Sequence, residues 1–185
     1  RLSSWPLVVS ASLVLVALLQ RPGRTTFDTK LDLVLNPGRF LAQSLYPWTP
    51  DMHLGSLQNQ ASGYLFPIGP FFWLGDAIGI PAWLWQRVWT GLVLVVAFEG
   101  ARRLIVSWQP GSPRAGLIGG LAYAFSPRVL STVGVLSGET LPGAVLPWAV
   151  LPLVLADRGR LQWRRAVILS AAFWARIPIN LIDKG

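Results

Sequence analysis

The sequence predicts an all-α fold: a polytopic transmembrane helical bundle with a long extracytoplasmic first loop that carries short interfacial helices. Three observations predict it. Apolar residues make up 52% of the 185 positions and charged residues only 13%, against roughly 25% charged residues in a soluble domain. The apolar residues gather into runs long enough to cross a bilayer as helices. The 16 Lys and Arg outnumber the 8 Asp and Glu to give a net charge of +8, and they fall in short clusters between those runs, as expected of cytoplasmic loops. A nucleic-acid module would instead interleave a basic stripe with polar loop, so no nucleic acid is expected as a partner. With no Cys and a single His, a disulfide framework, thiol chemistry and a Cys/His zinc site are all excluded. The apolar content excludes disorder as well.

The first run, residues 2–19, has no ionisable group and is bounded by Arg1 and Arg21. It is just long enough to cross a hydrocarbon layer of roughly 30 Å. A cleaved signal peptide is the alternative, with a shorter apolar region of ~7–15 residues and a small-residue cleavage site. Gln20-Arg21-Pro22-Gly23-Arg24 reads instead as a helix stop. Residues 21–80 hold no window apolar enough to span. They do hold two amphipathic pieces expected to lie at the interface, where aromatic rings are favoured. One is 37–46, with Phe40, Leu41 and Leu45 after an Asn36-Pro37 start, Pro being suited to the first helical position. The other is 69–78, with Phe71, Phe72, Trp73 and Leu74 before Asp76.

A second span is expected over 81–106. Trp83, Trp85 and Trp89 crowd its first turns around Gln86 and Arg87, as in an interfacial belt. Glu99 precedes Arg102 and Arg103 by three and four residues, the spacing of a same-face ion pair. A third run, 115–135, contains Gly119-Gly120 and a Ser126-Pro127-Arg128 interruption. A fourth, 140–156, carries Pro142, Pro147 and Pro152, which a membrane helix tolerates only where neighbouring helices or water satisfy the freed carbonyls. A fifth covers 166–183. No internal repeat is apparent.

Loop charges orient these spans. Arg102, Arg103 and Arg114 lie between the second and third spans, and Arg158, Arg160, Arg164 and Arg165 face only Asp157 between the fourth and fifth. Glu139 stands between the third and fourth with no basic residue. The first loop balances Arg21, Arg24, Lys30 and Arg39 with Asp28, Asp32, Asp51 and Asp76. The expectation is a multi-pass plasma-membrane protein with a cytoplasmic N-terminus and residues 21–80 extracytoplasmic. The missing initiator Met, and an end inside an apolar stretch, are expected of a piece of a longer chain.

Nucleotide-driven chemistry has no visible site: GxGxxG, Walker, H-E-x-x-H and G-x-S-x-G patterns are all missing. His53 has no partners for a metal site, and no tight carboxylate cluster stands out. No metal and no cofactor is assigned. What remains is the first loop. Asp28 and Asp32 are four apart just beyond the first span, and face the same way if the segment is helical. A carboxylate near the membrane surface can act as general base on a sugar hydroxyl attacking an anomeric carbon. Lys30 and Arg128 can supply positive charge where a phosphate leaves. A solvated turn with local ion pairs is the plain alternative for Asp28, Lys30 and Asp32.

Arg128 is the only charged residue between Arg114 and Glu139, about fourteen positions into its run. An intramembrane Arg is a functional candidate by default. The alternative is snorkelling to the outer face, which fourteen residues at 1.5 Å each, about 21 Å, make feasible. Gln58, Asn59 and Tyr64 offer amides and a ring for sugar hydroxyls, though loop polarity explains them equally well.

Three sets of residues resemble a known family. They are Asp28-Thr29-Lys30-Leu31-Asp32-Leu33; Leu57-Gln58-Asn59-Gln60-Ala61 with Gly63-Tyr64-Leu65-Phe66-Pro67 and Gly69-Pro70-Phe71-Phe72; and Gly120-Leu121-Ala122-Tyr123-Ala124 with Ser126-Pro127-Arg128. They are similar to the N-terminal membrane region of the actinobacterial arabinofuranosyltransferase D family, up to about residue 170. The resemblance implies a GT-C glycosyltransferase fold with a catalytic acid in the first extracytoplasmic loop. It implies a decaprenylphosphoryl-arabinose donor, and arabinan of arabinogalactan or lipoarabinomannan as the acceptor. By position, Asp28 matches the family's loop acid, with Asp32 as the alternate. Gln58, Asn59 and Tyr64 fall to the sugar pocket, and Lys30 and Arg128 to the donor phosphate. Ala172 to Gly185 departs from the small-residue-rich helix expected there.

A lipid-borne donor suits the extracytoplasmic side, which has no nucleotide sugars. Two other classes compete. A secondary transporter also shows broken helices and an intramembrane Arg, but has no need of a sixty-residue, Trp-rich first loop. A non-catalytic membrane scaffold explains the hydrophobicity, but not paired acids close to a helix exit.

Overall fold

The computed structural model describes residues 4–26, 31–46, 48–49, 55–57, 61–135 and 137–175. Helices dominate. The first, α1, covers Trp5–Leu18. After it the chain forms α2 (Leu31–Leu35) and α3 (Pro37–Ser44). Asn36 caps α3: its side-chain oxygen accepts from the Arg39 N–H at 3.1 Å, with Pro37 at the first helical position. A two-residue antiparallel ladder pairs β1 (Trp48–Thr49) with β2 (Ser56–Leu57). A 3₁₀ turn over Ala61–Tyr64 leads into α4 (Ile68–Ala77). The two expected amphipathic pieces are thus α3 and α4, while α2, the ladder and the 3₁₀ turn are additions too short to leave a periodic signal.

The longer helices follow: α5 (Ala82–Trp108), α6 (Pro113–Ala124), α7 (Pro127–Thr132), α8 (Ser137–Asp157) and α9 (Trp163–Ala175). Among the described residues one helix, Gly138–Asp157, is long and apolar enough to cross a membrane by length and composition. α1 is apolar but shorter. α5 is longer, yet Gln86, Arg87, Glu99, Arg102 and Arg103 interrupt its apolar character.

α5 is the hub. α1, α6 and α8 pack against it, and α9 packs on α8. Phe98 and Ala97 are fully buried at its centre among Leu13, Ala124 and Ala144. Two contacts show how closely the helices approach. A Cβ at Gly91 would fall 2.9 Å from the Val14 Cα, and one at Gly120 would fall 2.9 Å from the Phe98 carbonyl oxygen. Gly116 lies four residues before Gly120 and faces Val106 and Arg102, so α6 meets α5 along the small-residue seam that membrane helices favour.

The run over 115–135 is two helices. Pro127 disfavours helical backbone at the residue before it, and Ser126 is extended there, with φ −62 and ψ 147. α6 therefore stops at Ala124, and α7 starts afresh at Pro127.

The three prolines of α8 raise the question of who satisfies the carbonyls they free. Pro147 has no N–H to give the Gly143 carbonyl one turn back. The Tyr123 hydroxyl of α6 donates to that oxygen at 2.6 Å. The neighbouring helix thus supplies the missing donor. Tyr123→Phe is expected to lower stability by about 1 kcal/mol, the scale of one intramolecular hydrogen bond; thermal unfolding of the full-length protein in detergent checks it.

Glu99 binds both arginines as its spacing requires. Its carboxylate accepts from Arg102 Nε and Nη2, each at 2.6 Å, and from Arg103 Nε at 2.7 Å. Arg102 also lies over the Trp5 ring and Arg103 over Trp148, at 5.6 and 5.0 Å. One ionic cluster therefore ties α5 to α1 and α8.

Candidate functional site

Of the elements between α1 and α5, α2 and α4 pack on α5, and α3 packs on both of them. Leu33, Ile68, Phe40 and Phe72 are buried there with Trp89. Phe71 stacks on Trp85 at 4.6 Å, and the Trp85 indole N–H donates to the Phe71 carbonyl at 2.7 Å. This aromatic packing seats α4 on α5.

Asp32 sits in the single turn of α2, with its side chain exposed. The next two residues, Leu33 and Val34, are buried and fix the turn from below. α3, α4 and α5 pack on α2. Beside it lies a cleft of about 110 Å³ lined by Val34, Leu35, Phe72, Asp76, Ile80, Ala82 and Trp85. Asp76 is the carboxylate at that cleft, and amphipathic spacing alone gave it no role.

Tyr64 closes the 3₁₀ turn and is 5% exposed. Its ring meets Phe40 edge-on at 6.0 Å. It also reaches the first turn of α8, where a Cβ on Gly138 would stand 3.1 Å from the Tyr64 hydroxyl oxygen.

Arg128 is the second residue of α7, and its side chain is 73% exposed. The run that places Arg128 about fourteen residues deep is broken just before it, where Ser126 is extended between α6 and α7. Its Nη2 donates to Glu139 Oε2 at 3.2 Å across the α7–α8 turn. Gly134, at φ +83, makes that turn, a conformation that glycine adopts without strain. An exposed pair of this kind is worth ~0–1 kcal/mol, so Glu139 leaves Arg128 available. Tyr64, Glu139 and Arg128 therefore share one end of the bundle. Asp28, Lys30, Gln58 and Asn59 lie outside the described residues.

Gln86 and Arg87 are more than interfacial polar residues. Both are buried, 6% and 4% exposed. The Arg87 guanidinium donates to the carbonyls of Gln20 (2.6 Å), Arg21 and Arg24 (3.3 Å), and stands 5.0 Å from the Trp83 ring. Gln86 accepts from the Thr26 N–H at 2.9 Å and donates to the Thr26 carbonyl at 2.7 Å. Sequence spacing gave no signal for these bonds, since the partners lie 60 to 67 residues away.

Among the described residues no group of three or more His, Asp or Glu is placed to hold a metal ion.

Comparison with known proteins bears on the fold and the family. The family model of the N-terminal GT-C domain of alpha-(1->3)-arabinofuranosyltransferase matches residues 12–178. The chain belongs to that family. It is 47% identical over 164 residues to an alpha-(1->3)-arabinofuranosyltransferase of Mycolicibacterium smegmatis, which covers 89% of this chain and 12% of that protein. It is 46% identical over 155 residues to the Mycobacterium tuberculosis protein of the same name, covering 84% of this chain and 11% of that one. The cryo-EM structure of arabinofuranosyltransferase AftD from mycobacteria superposes with a TM-score of 0.85 at 45% identity, over 96% of this chain and 14% of the other. The chain thus spans about an eighth of the length of its curated relatives.

Proposed function

We propose that this chain is the opening part of a multi-pass GT-C membrane glycosyltransferase. In this reading it transfers arabinofuranose from decaprenylphosphoryl-arabinose to the arabinan of arabinogalactan or lipoarabinomannan. The observation that carries the reading is the family correspondence over residues 12–178, in which the first loop and the bundle beneath it fall together. Residues 21–80 face the extracytoplasmic side, and the N-terminus is cytoplasmic. The clusters Arg102/Arg103/Arg114 and Arg158/Arg160/Arg164/Arg165 support that orientation. The 21 residues of α8 extend about 31 Å at 1.5 Å each, which supports a crossing of a hydrocarbon layer of roughly 30 Å.

The chemistry follows from the residues. An acceptor hydroxyl attacks the anomeric carbon and forms the new C–O bond while the bond to the donor phosphate breaks. The hydroxyl proton passes to the Asp28 carboxylate, with Asp32 as the alternate base. The electron pair leaves on the polyprenyl phosphate, whose charge Lys30 and Arg128 stabilise. Gln58, Asn59 and Tyr64 line the sugar pocket. The exposure of Arg128 at a turn supports a phosphate role, because its guanidinium can change partner at little cost.

Radiolabel transfer from decaprenylphosphoryl-arabinose to an arabinan acceptor by the full-length protein tests the reading, and no transfer ends it. Arg128→Gln is expected to raise the donor KM about tenfold, the loss of one charge-assisted contact, with the acceptor KM unchanged. Equal loss for both substrates would assign Arg128 a structural role. Cysteine labelling that placed residues 21–80 in the cytoplasm would remove donor access from the outer leaflet.

A further inference from the structure

The chain leaving α1 is held at four points by two adjacent residues of α5. Arg87 takes the carbonyls of Gln20, Arg21 and Arg24, and Gln86 takes both main-chain groups of Thr26. Neither side chain bonds to an acid in these contacts. A buried guanidinium is costly unless every donor is well placed, and a buried amide costs when unpaired. An apolar pair at these positions would bury comparable surface without those requirements. What the polar pair adds is geometry. Gln86 binds Thr26 as a strand neighbour would, fixing the orientation of the peptide and not merely its distance. The supports beneath are rigid too: α1 meets α5 at Gly91, where a Cβ would fall 2.9 Å from the Val14 Cα, and Thr90 Oγ1 donates to the Gln86 carbonyl at 3.0 Å.

Thr26 lies two residues before Asp28 in the sequence. On the other side, Leu33 and Val34 anchor α2 by burial. The four residues 27–30 are therefore flanked by one pin of hydrogen bonds and one of packing.

We propose that Gln86 and Arg87 are positioning residues, which set the place of the loop acid by fixing the main chain of residues 20–26. This rests on the reading above in which Asp28 is the general base. A displacement of about 1 Å in a catalytic group can cost about a hundredfold in rate, so the pins act on kcat and leave substrate affinity largely alone.

The test uses the full-length protein in lipid nanodiscs. Gln86→Leu removes both bonds to Thr26, while Gln86→Glu keeps an acceptor for the Thr26 N–H and loses the donor. In Gln86→Leu, hydrogen exchange at the Thr26 amide is expected to rise at least about tenfold. Arabinose transfer from a polyprenyl-phosphate donor is expected to fall about 10- to 100-fold in kcat, with the donor KM within about threefold. Gln86→Glu should fall between parent and Leu variant, and it carries the test if Gln86→Leu does not fold. Arg87→Lys should recover most of the rate lost in Arg87→Met. Faster exchange at Thr26 with kcat unchanged overturns the proposal, as does a loss confined to KM. Asp28→Asn measured alongside separates the two claims. An active Asp28→Asn overturns the assignment of the acid and the positioning role with it. An inactive Asp28→Asn beside an unimpaired Gln86→Leu overturns the positioning role alone.

Discussion

Asp28→Asn in the full-length protein is expected to lower kcat for arabinose transfer by about 10²- to 10⁴-fold, the range that general-base catalysis contributes. The substitution keeps the size and the hydrogen-bonding outline of the side chain, but an amide cannot take the hydroxyl proton as the new bond forms. Donor KM should therefore stay within about threefold, and protein levels in the membrane should match the parent. Asp32→Asn supplies the contrast. Asp32 is exposed on α2, beside buried Leu33 and Val34, so its replacement costs little in packing. If Asp28 is the base, the Asp32 variant should lose less than about tenfold. The reverse order would move the base four residues along the sequence, to Asp32. Equal activity in both variants would remove the loop carboxylates from the mechanism.

How much of this was legible in the sequence depends on the distance between partners. Local features were readable because both partners sit within one turn. The Asn36 cap with Pro37, and Glu99 with Arg102 and Arg103, are of this kind. The prolines of α8 announced a need without naming its answer. Pro147 requires an outside donor for the Gly143 carbonyl, but only the packing of α6 on α5 and α8 on α5 brings the Tyr123 hydroxyl to it. At Arg128 the sequence showed the Ser126-Pro127 interruption, but not that the backbone is extended at Ser126 and starts a separate helix, α7. Gln86 and Arg87 were misjudged because Trp83, Trp85 and Trp89 surround them. That composition suits an interfacial belt, and nothing in it reveals carbonyls more than sixty residues upstream. At the candidate site the structure adds Glu139 beside Arg128 and Gly138 beside Tyr64.

The clamp and the bundle are mechanically linked, because the helix that carries Gln86 and Arg87 is also the one on which α6 is seated. The most sensitive point of that seat is Gly120. A Cβ there would come within 2.9 Å of both the Phe98 carbonyl oxygen and its Cδ2, and Phe98 is fully buried in the middle of α5. Backbone cannot swing aside as the end of a flexible side chain can, so α6 must move as a unit. A Cβ on Gly116, one turn earlier, would likewise fall 2.6 Å from the Val106 Cγ2, so the approach of α6 to α5 is close over a full turn. Gly120→Val is therefore expected to destabilise by roughly 3 kcal/mol, at the upper end of overpacking costs. Movement of α6 also draws the Tyr123 hydroxyl away from Gly143, exposing the carbonyl that Pro147 left free. Gly143 itself is the control. Nothing lies within 4 Å of its added Cβ, and an Ala in a helix interior gains roughly 0.5–1 kcal/mol over Gly, so Gly143→Ala should be neutral or mildly stabilising. Thermal unfolding of the two full-length variants in detergent measures the contrast. A Gly120→Val protein that melts with the parent would mean that α5 and α6 do not meet along this seam.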